Sequence, residues 1–141
     1  MTEMKSLLAA VPQAIAAVAL VVLTFSFPVP WNTMHCFGVA ITISAAVPFL
    51  VARYQLGKSF AIGAQAKQLV THGIYSRIRN PLYVFSSLMI LGAVISYQKP
   101  GFLLIPGTLV VVQSIRAHRE AQTLEAAFGD DYREYRKRTW F

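Results

Sequence analysis

Two long apolar runs set the limits on what this chain can fold into. From about Leu7 to Phe27, and again from about Thr33 to Ala52, there is no Asp, Glu, Lys or Arg. Each run is close to the roughly 20 residues a helix needs to cross a bilayer core. In hydrocarbon every backbone N–H and C=O must be bonded within the protein, so a run of this kind commits to α-helix. Composition fits that reading: 141 residues, 55% hydrophobic and 13% charged, with a mean hydropathy of +0.50. A soluble globule of this size does not carry its apolar residues in such blocks. The length gives a single domain, 1–141.

The elements follow in order. Pro12 falls near the start of the first span, where a helix tolerates it. Pro28-Val29-Pro30-Trp31-Asn32 breaks the chain and supplies an interfacial tryptophan. Pro48 is expected to kink the second span near its end, before Arg53. The first run is too long for a signal-peptide core and lacks a small-residue cleavage site, so it is expected to stay as a membrane helix. Two shorter apolar segments, 81–97 and 102–115, flank the turn Gln98-Lys99-Pro100-Gly101. Pro81 suits the first turn of a helix. The expectation is an all-α polytopic membrane protein of about four spans, with the fourth short. Residues 53–80 form a cytosolic loop, and residues 116–141 a cytosolic helix and tail that Gly129 interrupts.

Charge placement argues for lipid rather than nucleic acid as the electrostatic partner. The net charge is +7, yet Arg53, Lys58, Lys67, Arg77 and Arg79 cluster in one loop, and Arg116, Arg119, Arg133, Arg136, Lys137 and Arg138 in the tail. Both clusters border apolar segments, as cytoplasmic loops do, which puts both termini in the cytoplasm. Anionic headgroups attract such segments. The lone Cys36 and three scattered histidines (His35, His72, His118) offer no metal site and no internal disulfide.

The stretch Gln68 to Tyr83 is richer than a connector needs. It holds His72, Gly73, Tyr75, Arg77, Arg79, Asn80, Pro81 and Tyr83, and the chain repeats such polarity at Arg116 and Glu120. These two patches, distant in sequence, are expected to close over one small charged molecule at the inner edge of the bilayer. Residue by residue the plainer readings hold: arginines anchor topology, tyrosines sit at interfaces, and Arg116 with Glu120 makes an exposed pair worth tenths of a kcal/mol. The Tyr132/Tyr135 pair reads as packing.

The two blocks together, Gly73-x-Tyr75-x-x-x-Arg79-Asn80-Pro81-x-Tyr83 and Arg116-x-x-x-Glu120-x-x-x-Leu124-x-x-x-Phe128-Gly129-x-x-Tyr132-x-x-Tyr135, resemble the isoprenylcysteine carboxyl methyltransferase family and its phospholipid-methyltransferase relatives. The resemblance covers Leu69 to Lys137. It implies an integral membrane enzyme that uses S-adenosylmethionine to methylate a lipophilic acceptor. By the same resemblance, Lys67, Gln68, Leu69, Val70, Tyr75, Asn80, Pro81, Leu82, Tyr83 and Glu120 would bind the cofactor. Arg116 would bind the acceptor, and Arg116 and Glu120 would form the catalytic pair. Two positions depart from the family pattern: Asn80 stands where a histidine is common, and Ala121 where a second glutamate is. Asn80 can still hydrogen-bond a carboxylate but cannot transfer a proton.

Chemistry supports that implication. A sulfonium zwitterion asks for an anion, hydrogen-bond donors and aromatic faces. A helix N-terminus at Pro81 would favour its carboxylate. Methyl transfer is mainly alignment, so no triad is needed. The chain lacks a glycine-rich strand–turn–helix, which excludes a Rossmann-type cofactor site. Two other readings stay open: a lipid or sterol reductase with a nicotinamide cofactor, and a non-enzymatic membrane scaffold.

Overall fold

Helix follows helix wherever the sequence is apolar. A computed structural model describes residues 2–57 and 69–141. It contains α1 (Thr2–Phe25), α2 (Thr33–Gly57), α3 (Pro81–Tyr97), α4 (Leu104–Phe128) and α5 (Asp130–Arg138), with single 3₁₀ turns at Gly73–Ser76 and Pro100–Leu103. Among the described residues there is no strand; Ile78 and Trp140 form one isolated parallel bridge.

The ends have local causes. α1 closes at Phe25, ahead of Pro28-Val29-Pro30. α2 runs past Arg53, where the apolar run stops, to Gly57. The extra turn is held by packing, since Ala52 and Leu56 join Val70, Ile74 and Tyr75 in a small cluster. Pro81 opens α3, where its missing N–H costs nothing, and Gln98 ends it in a left-handed conformation at φ 60°. The apolar segment 102–115 and the helix expected from Arg116 are one element, because α4 is unbroken to Phe128. Gly129, at φ +56°, turns the chain into α5. Arg133 ties that corner, its Nε 2.8 Å from Glu125 and its Nη1 3.0 Å from Asp130.

The core lies between α2 and α3. A Cβ placed on Gly38 would fall 2.4 Å from Ser96 N, and one on Gly92 would fall 2.7 Å from Thr42 N. The two backbones touch where small residues face each other, which is how helices associate without a hydrophobic force between them. Thr42 Oγ1 lies 2.9 Å from Gly38 O and 3.3 Å from Met89 O. α1 adds Ala17, Leu20 and Val21 against Ala45, Ala46, Phe49 and Met89. Outward, α1 exposes Ile15, Val18 and Val22, and α4 exposes Leu104, Ile105, Val110 and Val111. Apolar faces turned outward on this scale suit lipid.

Two helical stretches, Thr33–Leu56 and Pro100–Phe128, are long and apolar enough to cross a membrane; Ala10–Phe25 and Pro81–Tyr97 are shorter apolar helices. At the end of α2 and α3 remote from residues 69–80, Asn32 Nδ2 donates to Gln98 Oε1 at 3.0 Å. Beside it the buried His35 ring meets Ser96 Oγ at 2.7 Å.

Candidate functional site

The site is built where the loop before α3 meets the far half of α4 and the tail. Of the sequence-predicted residues, Lys67 and Gln68 lie outside the described residues. Leu69 is half-buried and Val70 buried. Gly73 turns the chain at φ +61°, pressed so closely on Gln55 that a Cβ would fall 2.3 Å from Gln55 Nε2. Gln55 Oε1 in turn accepts from Ile74 N at 3.0 Å. Gln55, unremarked in the sequence, therefore seats the loop on the end of α2.

The turn carries Tyr75 inward, against Ala52 and Val70. Its hydroxyl is buried and has no hydrogen-bond partner among the described residues. Burial pushes the phenol well above its ordinary value; Tyr135 adds to the rise, and the Arg53 guanidinium pulls the other way. Arg53, expected first of all to anchor topology, is 4% exposed and within electrostatic reach of this phenol.

The tail fastens the loop. Tyr135 Oη donates to Tyr75 O at 2.7 Å. Trp140 N donates to Arg77 O at 2.7 Å, and Arg79 N to Trp140 O at 3.0 Å. Asn80 sends both its backbone N–H and its Nδ2 to Phe141 O, each at 3.1 Å. Its side chain does not cap α3. Tyr132 and Tyr135 are buried, as packing residues would be. Sequence reasoning missed the role of Trp140 and Phe141, because backbone pairing leaves no side-chain signature.

Pro81 is buried, and Leu82 packs against both apolar clusters. One position on, Tyr83 Oη donates to Glu120 Oε1 at 2.5 Å. This bond joins the two patches that the sequence placed together. Arg116 is exposed, one turn before Glu120, and within electrostatic reach of the Tyr83 phenol. No ion pair links it to Glu120 among the described residues; Glu120 faces α3 instead.

A family model, phospholipid methyltransferase, matches residues 32–131. The chain belongs to the phospholipid methyltransferase family. The match spans well over half the sequence and contains every expected site residue from Lys67 to Glu120. Family membership indicates methyl transfer as the chemistry and lipid as the class of acceptor. No curated protein and no solved structure gives a match. The fastening tail from Tyr132 onward lies beyond the matched segment.

Proposed function

We propose that this protein is an S-adenosylmethionine-dependent methyltransferase, crossing the membrane four times with both termini cytosolic, that methylates a phospholipid or other lipophilic acceptor. The observation that carries the proposal is the Tyr83–Glu120 contact, which sets a carboxylate beside the N-terminus of α3. The donor set suits the cofactor. Glu120 Oε1 is engaged by Tyr83, leaving Oε2 to take the cofactor's ammonium or its ribose hydroxyls. Asn80 Nδ2 carries a second N–H for a carboxylate, and the Tyr75 hydroxyl, without a partner among the described residues, is a buried polar group of the kind a ligand satisfies. Leu69, Val70, Pro81 and Leu82 supply the apolar side chains beside them, and Lys67 and Gln68, outside the described residues, are proposed as cofactor-binding on the family resemblance alone.

When bound, the cofactor supplies an electrophilic methyl group; the chain's own residues align and desolvate. Glu120 fixes the cofactor from α4 while Asn80 and Tyr75 fix it from the loop. Arg116, on the face of α4 that Glu120 shares, holds a phosphate or carboxylate of the acceptor. Asn80 cannot relay protons, so transfer depends on placement.

The test is equilibrium binding of radiolabelled S-adenosylmethionine to the detergent-purified chain, followed by methyl transfer into a lipid extract with the product identified. Saturable binding is expected, weakened about tenfold or more in Glu120→Ala. A chain that binds none, or binds equally well without Glu120, rules the proposal out.

A further inference from the structure

Deeper along the same two helices is a polar contact that the site does not use. Ser87 Oγ donates to Gln113 Oε1 at 2.5 Å, and Gln113 Nε2 donates to Ser86 Oγ at 2.9 Å. All three side chains are half-buried, within the apolar stretches of α3 and α4. Gln113 is seven residues before Glu120 on α4, about 10 Å along the axis and on the same face. Ser86 and Ser87 follow Tyr83 by one turn of α3.

Among the described residues α4 is held less closely than α2. α2 approaches α3 through Gly38 and Gly92, whereas a Cβ on Gly107 of α4 would meet nothing within 4 Å. Of the apolar window in Thr33–Leu56, 39% is buried, against 11% for that in Pro100–Phe128. Apolar side chains gain nothing by leaving lipid for one another, so interhelical hydrogen bonds carry more of the association. A glutamine placed between two serines offers a donor and an acceptor at once, and here both are used.

We propose that Gln113 is a positioning residue: its amide, held between Ser86 and Ser87, fixes α4 against α3 and thereby sets the spacing of Tyr83 and Glu120. The proposal rests on the reading that Tyr83 and Glu120 border the cofactor.

The experiment compares Gln113→Leu and Gln113→Glu in the full chain, purified in detergent. Leucine keeps the apolar character a span needs but makes neither hydrogen bond. With spin labels at Leu88 and Ser114 and Cys36 replaced by serine, Gln113→Leu should broaden the interhelical distance distribution. Its dissociation constant for S-adenosylmethionine should rise about five- to tenfold, as two lost interhelical bonds imply. Glutamate gives the sharper readout. When neutral it donates to Ser86 and accepts from Ser87, so affinity relative to the unsubstituted chain at the same pH returns at acidic pH. When ionised it sets an uncompensated charge in the apolar stretch, and the relative affinity falls as pH rises. Unchanged affinity in Gln113→Leu, or a Gln113→Glu variant indifferent to pH, overturns the proposal. If the unsubstituted chain binds no S-adenosylmethionine, the proposed function fails by itself, and the spin-label distances still decide whether Gln113 holds α4.

Discussion

Tyr83, in the first turn of α3, donates its hydroxyl hydrogen to Glu120 on α4 at 2.5 Å, across 37 positions of sequence. A carboxylate bonded by one phenol keeps its charge and one oxygen for something else. Tyr83→Phe should therefore weaken S-adenosylmethionine binding less than Glu120→Gln does. The phenylalanine loses orientation alone, about 1 kcal/mol, while the glutamine loses the charge. Isothermal titration of both variants checks the order, and equal effects would remove Glu120 from the cofactor's contacts.

The glycine contact between α2 and α3 makes a second prediction. A methyl group on Gly38 meets the Ser96 backbone, which cannot rotate aside. Gly38→Ala should cost about 1–3 kcal/mol and lower the unfolding temperature in detergent. Gly107→Ala, facing open space, should be neutral or slightly stabilising, as helix propensity favours alanine. If both variants unfold alike, the close approach of the two helices is wrong.

Gly73 combines two constraints that can be separated. Its φ of +61° disfavours any side chain, and Gln55 fills the space a Cβ would take. Gly73→Ala should strain the loop by about 1–2 kcal/mol from the backbone alone, with the clash added. Gln55→Ala removes both the clash and the bond to Ile74 N, so the strain is read as the further effect of Gly73→Ala in a Gln55→Ala background. Hydrogen exchange of the Arg77 and Ile78 amides, both bonded to Ile74 O, reports it; no further effect would mean that the left-handed backbone is not what requires glycine.

The tail's hold on the loop should depend on pH at its alkaline end. Burial, helped by the neighbouring Tyr132, pushes the Tyr135 phenol from its ordinary 10.0 up to about 12, with Arg79 opposing. The group is raised, so its contribution is complete below pH 10 and disappears as pH climbs through about 12. In that window amide protection of Tyr75 to Asn80 should fall as tyrosinate absorbance rises. Tyr135→Phe should show reduced protection at neutral pH, by about 1 kcal/mol, and lose this part of the alkaline dependence.

Much of the helical plan was readable because bilayer physics leaves few choices for an apolar run. Pro81 and Gly129 marked boundaries through conformations that do not depend on neighbours. α2 ran beyond its apolar stretch because Leu56 packs on residues far along the chain, and no local pattern shows such a partner. The paired blocks pointed to Tyr83 and Glu120, whose side chains carry recognisable chemistry. Gln55, Trp140 and Phe141 act through the backbone or as a backstop, so their residue types gave no sign of it.

By itself the sequence determined that the chain is helical, that it suits lipid, and that it carries a basic, aromatic set of residues related to phospholipid methyltransferases. Hydropathy and residue chemistry are local properties, and a linear string records them in full. Tertiary structure decided which atoms meet: Glu120 with Tyr83 rather than Arg116, Asn80 with Phe141, Gln113 between two serines. Those pairings join segments far apart in the chain, and no local property of the string records which side chains will face each other.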